Sequence, residues 1–300
     1  MGTALVTGAT SGIGEEFCWQ LAAAGHDLVL IARREDALRA LADSLANVAG
    51  VRAEVIAADL STEDGCARVA ARLDVGGPAD RDKPDLAPVD LLVNNAGFGL
   101  GTAFLDNSLD NEMNGLNVMV RAVMTLAHHA GISMRSRGRG AILNVGSVAS
   151  RTGAGTYSAH KAWVVAFTEG LAAELKGSGI TATVVCPGPV DTPFFERAGV
   201  DMRATPSWLM ASPEQVVTEA LDAVRAGRVQ VTPTIPYKVA MGAMKLAPRW
   251  VTARAMRSVP HMSGRADDNE AGARFAQNPA PASLMRAENQ ARPISSRPSA

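Results

Sequence analysis

Six short runs of continuous apolar character, separated by longer amphipathic stretches, restrict what this chain can fold into. They are TALVTG (3–8), DLVLIAR (27–33), RAEVIAADL (52–60), VDLLVNNAG (89–97), GAILNVGS (140–147) and ITATVVCPG (180–188). A strand without polar alternation has to be covered on both faces. The intervening segments predict helices near 13–24, 35–48, 62–73, 110–136 and 156–176, with Gly25 and Gly177 placed for left-handed caps. Repeated strand–helix units of this kind predict an α/β fold, doubly wound, with a mostly parallel sheet flanked by helices on both faces. Ligands bind such sheets beyond the carboxyl ends of the strands, so the residues just after each run carry most information.

The chain of 300 residues is long enough to bury a large core, and 47% of it is hydrophobic. A formal charge of −1 and a pI near 6.5 give no global reason to expect nucleic acid. Cys18, Cys66 and Cys186 are widely spaced and odd in number, which points to buried free thiols rather than a disulfide framework. No basic leader precedes the first apolar run, so a cytoplasmic protein is expected. No stretch approaches the roughly 20 apolar residues that span a bilayer.

The sequence TGATSGIG (7–14) follows the first run and opens the first predicted helix. Gly8 permits a tight turn, Gly12 lets backbone approach a phosphate, and Gly14 lets the helix pack on the strand. The helix amino terminus then faces a pyrophosphate with free N–H groups. Its Gly-x-x-x-Gly-x-Gly spacing differs from the Gly-x-Gly-x-x-Gly dinucleotide fingerprint, but the strand–turn–helix setting is that of a nucleotide loop. About twenty residues on, where a carboxylate would hold the ribose of NAD, stands Ala32, followed by Arg33 and Arg34. Guanidinium groups there favour the 2′-phosphate of NADP over NAD.

Together TGATSGIG, NNAG (94–97), Asn117 in LNV, Ser147 in NVGS, YSAHK (157–161) and PGPVDTPF (187–194) resemble the short-chain dehydrogenase/reductase family, in an NADP-preferring bacterial branch. The resemblance covers residues 1 to about 200 and implies a Rossmann fold and an NADP(H)-dependent oxidoreductase acting on a carbonyl or secondary alcohol. It implies that Tyr157 is the general acid or base. A free phenol titrates near 10, and lowering that by about 3 units takes about 4 kcal/mol, which Lys161, one helical turn away, is expected to supply. Ser147 is implied to hold the substrate oxygen, and Asn117 a water that relays protons to Lys161. The implied cofactor set is Gly8, Ser11, Gly12, Ile13, Gly14, Arg33, Arg34, Asp59, Leu60, Asn95, Ala96, Gly97, Tyr157, Lys161, Pro187, Gly188, Val190 and Thr192. Asn94 reads rather as a support for neighbouring backbone groups, and Gly188 equally as a plain turn.

Two departures stand out. Ser147 and Tyr157 are ten residues apart, a few fewer than the family usually has, and 75–88 is a long Pro- and Gly-rich loop. His128, His129 and His160 have no spacing that pairs them with carboxylates or cysteines, and no metal is expected. A lipophilic ketone is the expected substrate, and Phe194, Phe195, Trp208, Trp250 and the methionines read equally as an apolar pocket wall or as plain core. Rival readings are a non-catalytic dinucleotide-binding sensor or scaffold and a sugar-nucleotide epimerase or dehydratase.

Three parts are expected along the chain: a dinucleotide-binding and catalytic core over 1–200, a substrate lid with a C-terminal helical segment over 201–260, and a disordered tail over 261–300. Between Asp222 and Asp267 there is no acidic residue, while Arg225, Arg228, Lys238, Lys245, Arg249, Arg254, Arg257 and Arg265 fall inside. Amphipathic helices on an anionic membrane surface, a peripheral contact through 225–265, or a helical lid with solvated charges both satisfy that pattern, the lid being the simpler. The resemblance also implies a homodimer or homotetramer, assembled through the helices near 110–130 and 157–176.

Overall fold

The structure, a computed structural model, describes residues 2–78, 86–153, 155–200, 206 and 209–246. Strands β1 (Thr3–Thr7), β2 (Asp27–Ala32), β3 (Ala53–Ala57), β4 (Val89–Asn94), β5 (Gly140–Val145) and β6 (Ile180–Val185) stand on the six apolar runs. Each stops before the polar or glycine-rich end of its run, which turns into the loop beyond. A seventh strand, β7 (Gln230–Val231), is too short to announce itself as an apolar run. The order is β3-β2-β1-β4-β5-β6-β7, with every described pairing parallel.

The helices are α1 (Gly12–Ala23), α2 (Glu35–Ala49), α3 (Glu63–Leu73), α4 (Leu109–Leu116), α5 (Ala122–Arg137), α6 (Gly155–Glu174), α7 (Phe194–Arg197), α8 (Pro213–Arg225) and α9 (Ile235–Leu246). Their starts follow side-chain chemistry: the hydroxyls of Thr62, Ser108 and Ser212 accept N–H groups of α3, α4 and α8. The helix expected over 110–136 is α4 and α5 joined by a π turn, Asn117–Arg121, in which the Ala122 N–H reaches back to the Asn117 carbonyl. Such a one-residue widening of a helix is frequent at functional sites.

Alternation along the central strands sends side chains to two cores. Ala4, Val6, Leu28 and Leu30 pack with α1, α2 and α8; Leu5, Val29 and Ile31 pack with α3 and α5. Both faces are thereby closed, as an all-parallel sheet requires. Cys18, Cys66 and Cys186 are buried thiols, as expected.

One polar thread crosses this apolar interior. Asn94 Nδ2 donates to Asn144 Oδ1 at 2.9 Å, Asn144 Nδ2 to Thr168 Oγ1 at 2.9 Å, and Thr168 Oγ1 to the Val164 carbonyl at 2.7 Å. It ties β4 to β5 and β5 to α6, and it gives Asn94 a side-chain partner in place of the backbone groups expected. The chain winds outward in opposite directions from β1 and β4, so the crevice at their carboxyl ends is where such a sheet takes a ligand.

Residues 79–85 of the proline-rich loop, the tail 261–300 and most of the basic stretch lie outside the described residues. Within the described part, Arg225 pairs with Asp222 at 2.8 Å and Lys238 with Glu219 at 2.7 Å. Two cations of that stretch thus face carboxylates of α8. No helix among the described residues is long and apolar enough to cross a membrane.

Asn144→Ala takes the acceptor from the buried Asn94 amide and leaves Thr168 Oγ1 with only its bond to the Val164 carbonyl, and a buried polar group left unsatisfied costs about 1–3 kcal/mol. The variant is expected to lose about 2 kcal/mol in urea unfolding; an unchanged midpoint would contradict the thread's structural role.

Candidate active site

β1 delivers the glycine-rich loop. Gly8 and Gly12 have φ of +67° and +55°, a region that L side chains resist. A Cβ on Gly14 would come within 2.1 Å of the Gly8 carbonyl and 2.4 Å of Asn95 Nδ2, so only hydrogen fits where α1 meets the strand. Ser11, at the helix N-cap, is extended and its hydroxyl makes no bond to the helix. Ile13 packs into the core behind it.

The loop after β4 is bonded to this one. Thr7 Oγ1 accepts the N–H groups of Asn95 and Ala96 at 2.9 and 3.0 Å, while Asn95 Nδ2 donates to the carbonyls of Thr7 and Gly8 at 2.9 and 3.3 Å. Asn95 therefore acts as a strut under the glycine loop, its amide committed to backbone. Gly97 is exposed, and a Cβ there would sit 3.6 Å from Lys161 Nζ. Thr7, which makes both contacts, escapes sequence reading because its partners lie 88 and 89 residues away.

At the end of β2, Arg33 and Arg34 are exposed, and neither forms an ion pair among the described residues. After β3, Asp59 is exposed with Oδ1 bonded to the N–H and hydroxyl of Ser61, and Leu60 is buried. After β6, the buried Pro187 accepts the Val148 N–H at 3.0 Å. A Cβ on Gly188 would strike the Tyr237 ring at 2.4 Å, so this position is more than a plain turn. Val190 bridges to Ala211, and Thr192 Cγ2 lies 3.1 Å from where a Gly12 Cβ would stand. Helix-terminal N–H groups, a loop that excludes side chains and unpaired guanidinium groups at the second strand fit a phosphorylated dinucleotide.

Ser147 leaves β5 with its Oγ accepting the Ala149 N–H at 3.1 Å, and its side chain is near enough to the Tyr157 hydroxyl to favour the ionised phenol. Lys161 is 5% exposed; its Nζ donates to the Val145 carbonyl at 2.7 Å and lies 5.8 Å from the Tyr157 ring centroid. The helical spacing of YSAHK thus places phenol and ammonium in one pocket on α6. Asn117 stands half-buried at the π turn.

The electrostatics depart from the sequence expectation. Enclosure of the Tyr157 hydroxyl pushes it up to about 12, with the Ser147 side chain pulling the other way. The phenol is not brought toward neutrality, and the same enclosure brings Lys161 down to about 8. At neutral pH the pair is a protonated phenol beside an ammonium.

Glu112 is a site residue that sequence reading missed. It is 6% exposed on α4, with Oε2 accepting Thr156 Oγ1 at 2.5 Å and Oε1 accepting Asn107 Nδ2 at 2.7 Å. It fixes the start of α6 one residue before Tyr157; an acidic side chain five positions before Asn117 was the available signal. His160 is buried, and that burial lowers its pKa against the pull of Glu112. His129 Nδ1 meets Asp74 Oδ1 at 2.8 Å, a carboxylate pairing the spacing did not foretell. Among the described residues no cluster of His, Cys, Asp and Glu could hold a metal ion. Phe194 faces Tyr157 at 5.9 Å between ring centroids and packs edge-on with Phe195. Trp208 and Trp250 lie outside the described residues.

Residues 2–202 match the short chain dehydrogenase family. Over 207 residues, 65% of this chain and 72% of the relative, the sequence is 42% identical to a protein of Streptomyces virginiae assigned as the ketoacyl reductase of the monensin polyketide synthase. It is 29% identical to the 7beta-hydroxysteroid dehydrogenase of Collinsella aerofaciens, covering 73% of this chain and 81% of that one. Among solved structures, a short-chain dehydrogenase from Sphingobium yanoikuyae in complex with NADPH superimposes with a TM-score of 0.72 and 28% identity, over 89% of this chain and 99% of the other. The chain belongs to the short chain dehydrogenase family and is an oxidoreductase of alcohol and keto groups.

Proposed function

We propose that this chain reduces a lipophilic ketone with NADPH, with Tyr157 as the general acid. The observation that carries the reading is the Ser147–Tyr157 hydroxyl pair beside the buried Lys161 ammonium, at the carboxyl edge of β5. The glycine loop, Gly97, Arg33, Arg34, Thr192 and Lys161 hold the cofactor, Arg33 and Arg34 taking its 2′-phosphate. NADPH, when bound, supplies the hydride that reaches the carbonyl carbon.

The chain's own residues manage the oxygen. Ser147 and Tyr157 donate hydrogen bonds to the carbonyl oxygen, which gains charge as its π electrons move onto it. Tyr157 gives up its hydroxyl proton to that oxygen, completing the alcohol. The ammonium of Lys161 then stabilises the phenolate left behind. Lys161 uses one donor on the Val145 carbonyl and keeps two for ribose hydroxyls or a relay water held by Asn117. A phenol that stays protonated at neutral pH suits the reducing direction.

Substrate class is supported by two things. Phe194 lays an aromatic face beside the Tyr157 ring, and relatives include proteins named for ketoacyl and hydroxysteroid chemistry. Leu105, Leu109, Met113, Leu116 and Met124 leave apolar surface exposed on and before the α4–α5 rod. A homodimer or homotetramer through this rod covers it.

Three outcomes are expected. Tyr157→Phe, assayed by NADPH oxidation with β-ketoesters, aryl alkyl ketones and ketosteroids, loses at least about 100-fold in kcat while still binding NADPH. A variant as active as the parent would refute the acid's assignment.

The pH dependence follows from the charge that must be present. Lys161 is cationic below about 8 and neutral above, while Tyr157 keeps its proton well beyond that. Reductive kcat/KM is therefore expected to be level near neutrality and to fall above about pH 8; a value that rises into the alkaline range would contradict this order of titration. In solution scattering the protein is expected to show the mass of a dimer or tetramer, and a monomeric mass would remove the assembly through α4 and α5.

A further inference from the structure

Arg197, on α7, places its guanidinium over the glycine-rich loop, and nothing in the chemistry above uses it. Its Nη1 donates to Ser11 Oγ at 3.1 Å across 186 residues of sequence. The ground it stands on is fixed. A Cβ on Gly99 would meet Ala198 Cβ at 2.6 Å and one on Gly101 the Ala198 carbonyl at 2.4 Å, so α7 is pressed onto the loop after β4. On its other side Thr192 lies against Gly12.

Two features mark the contact as more than a surface tether. The Ser11 hydroxyl makes no capping bond to α1, so it is available to a ligand. Arg197 is exposed and pairs with no carboxylate among the described residues, unlike Arg39, Arg52, Arg225 and Lys238. A guanidinium without a counter-ion beside the N-terminal N–H groups of a 12-residue helix deepens the positive potential at that helix end.

We propose that Arg197 is a cofactor-binding residue that clamps the pyrophosphate of NADP(H) from the α7 side, its bond to Ser11 giving way to phosphate oxygens. This rests on NADP(H) occupying the glycine loop. The clamp differs from Arg33 and Arg34 in what it reads: the pyrophosphate is common to NADPH and NADH, whereas the 2′-phosphate is not.

The test is a fluorescence titration of the full chain with NADPH and, separately, NADH. Arg197→Ala is expected to raise Kd for both nucleotides by about tenfold, equal to about 1.4 kcal/mol. Arg197→Lys recovers part of the loss, and added salt shrinks the difference between parent and variant. An Arg33→Ala, Arg34→Ala double variant raises Kd for NADPH alone. Melting without nucleotide is expected to be unchanged by Arg197→Ala, since the side chain is exposed. An Arg197→Ala protein with both Kd values unchanged, or with only NADPH weakened, would overturn the clamp. A parent chain that bound neither nucleotide would overturn the cofactor reading, and the clamp with it.

Discussion

The catalytic edge is organised around a buried ammonium. Lys161 donates to the Val145 carbonyl at the end of β5, and its charge is held where little water reaches it. A buried cation of this kind is expensive unless its hydrogen bonds are satisfied and its surroundings fixed. The position of α6 relative to β5 must therefore be held firmly. Two sets of contacts supply that: Asn144 bonds Thr168 in the middle of α6, and Glu112 holds Thr156 at its start. Tyr157 and Lys161 lie between these two points on the helix.

The same logic holds on the cofactor side. Thr7 and Asn95 bond the loop after β4 to the glycine loop, so the two strand ends that flank the crevice move as one piece. Gly8, Gly12 and Gly14 then keep that surface free of side chains. Preorganised N–H groups of this sort cost little to reorient when an anion arrives. The segment from Pro187 to Arg197 closes over the crevice from the far side, touching Gly12 through Thr192 and Ser11 through Arg197.

Much of this was legible in the chain. The six apolar runs marked six of the seven described strands because a two-faced strand leaves no other pattern, and the glycine spacing located the loop. The residues that position the site were not legible. Asn94 meets Asn144 over 50 residues and Thr156 meets Glu112 over 44, and a polar side chain shows no sign of such a partner. β7 was missed because Gln230 and Val231 carry no period, and α8 was not singled out although its Val216, Val217, Ala220 and Leu221 lie on one buried face. The upward pull on the Tyr157 hydroxyl escaped the sequence for a related reason: proximity to Lys161 follows from helical spacing, but depth of burial does not.

The claim that these elements converge on one cofactor-and-carbonyl site is tested most directly by a crystal structure of the NADP complex. The expected result has the nicotinamide ribose on Lys161, the nicotinamide beside the Ser147–Tyr157 hydroxyl pair and the 2′-phosphate on Arg33 or Arg34. A nicotinamide turned away from Tyr157, or a dinucleotide bound away from the glycine loop, would contradict it.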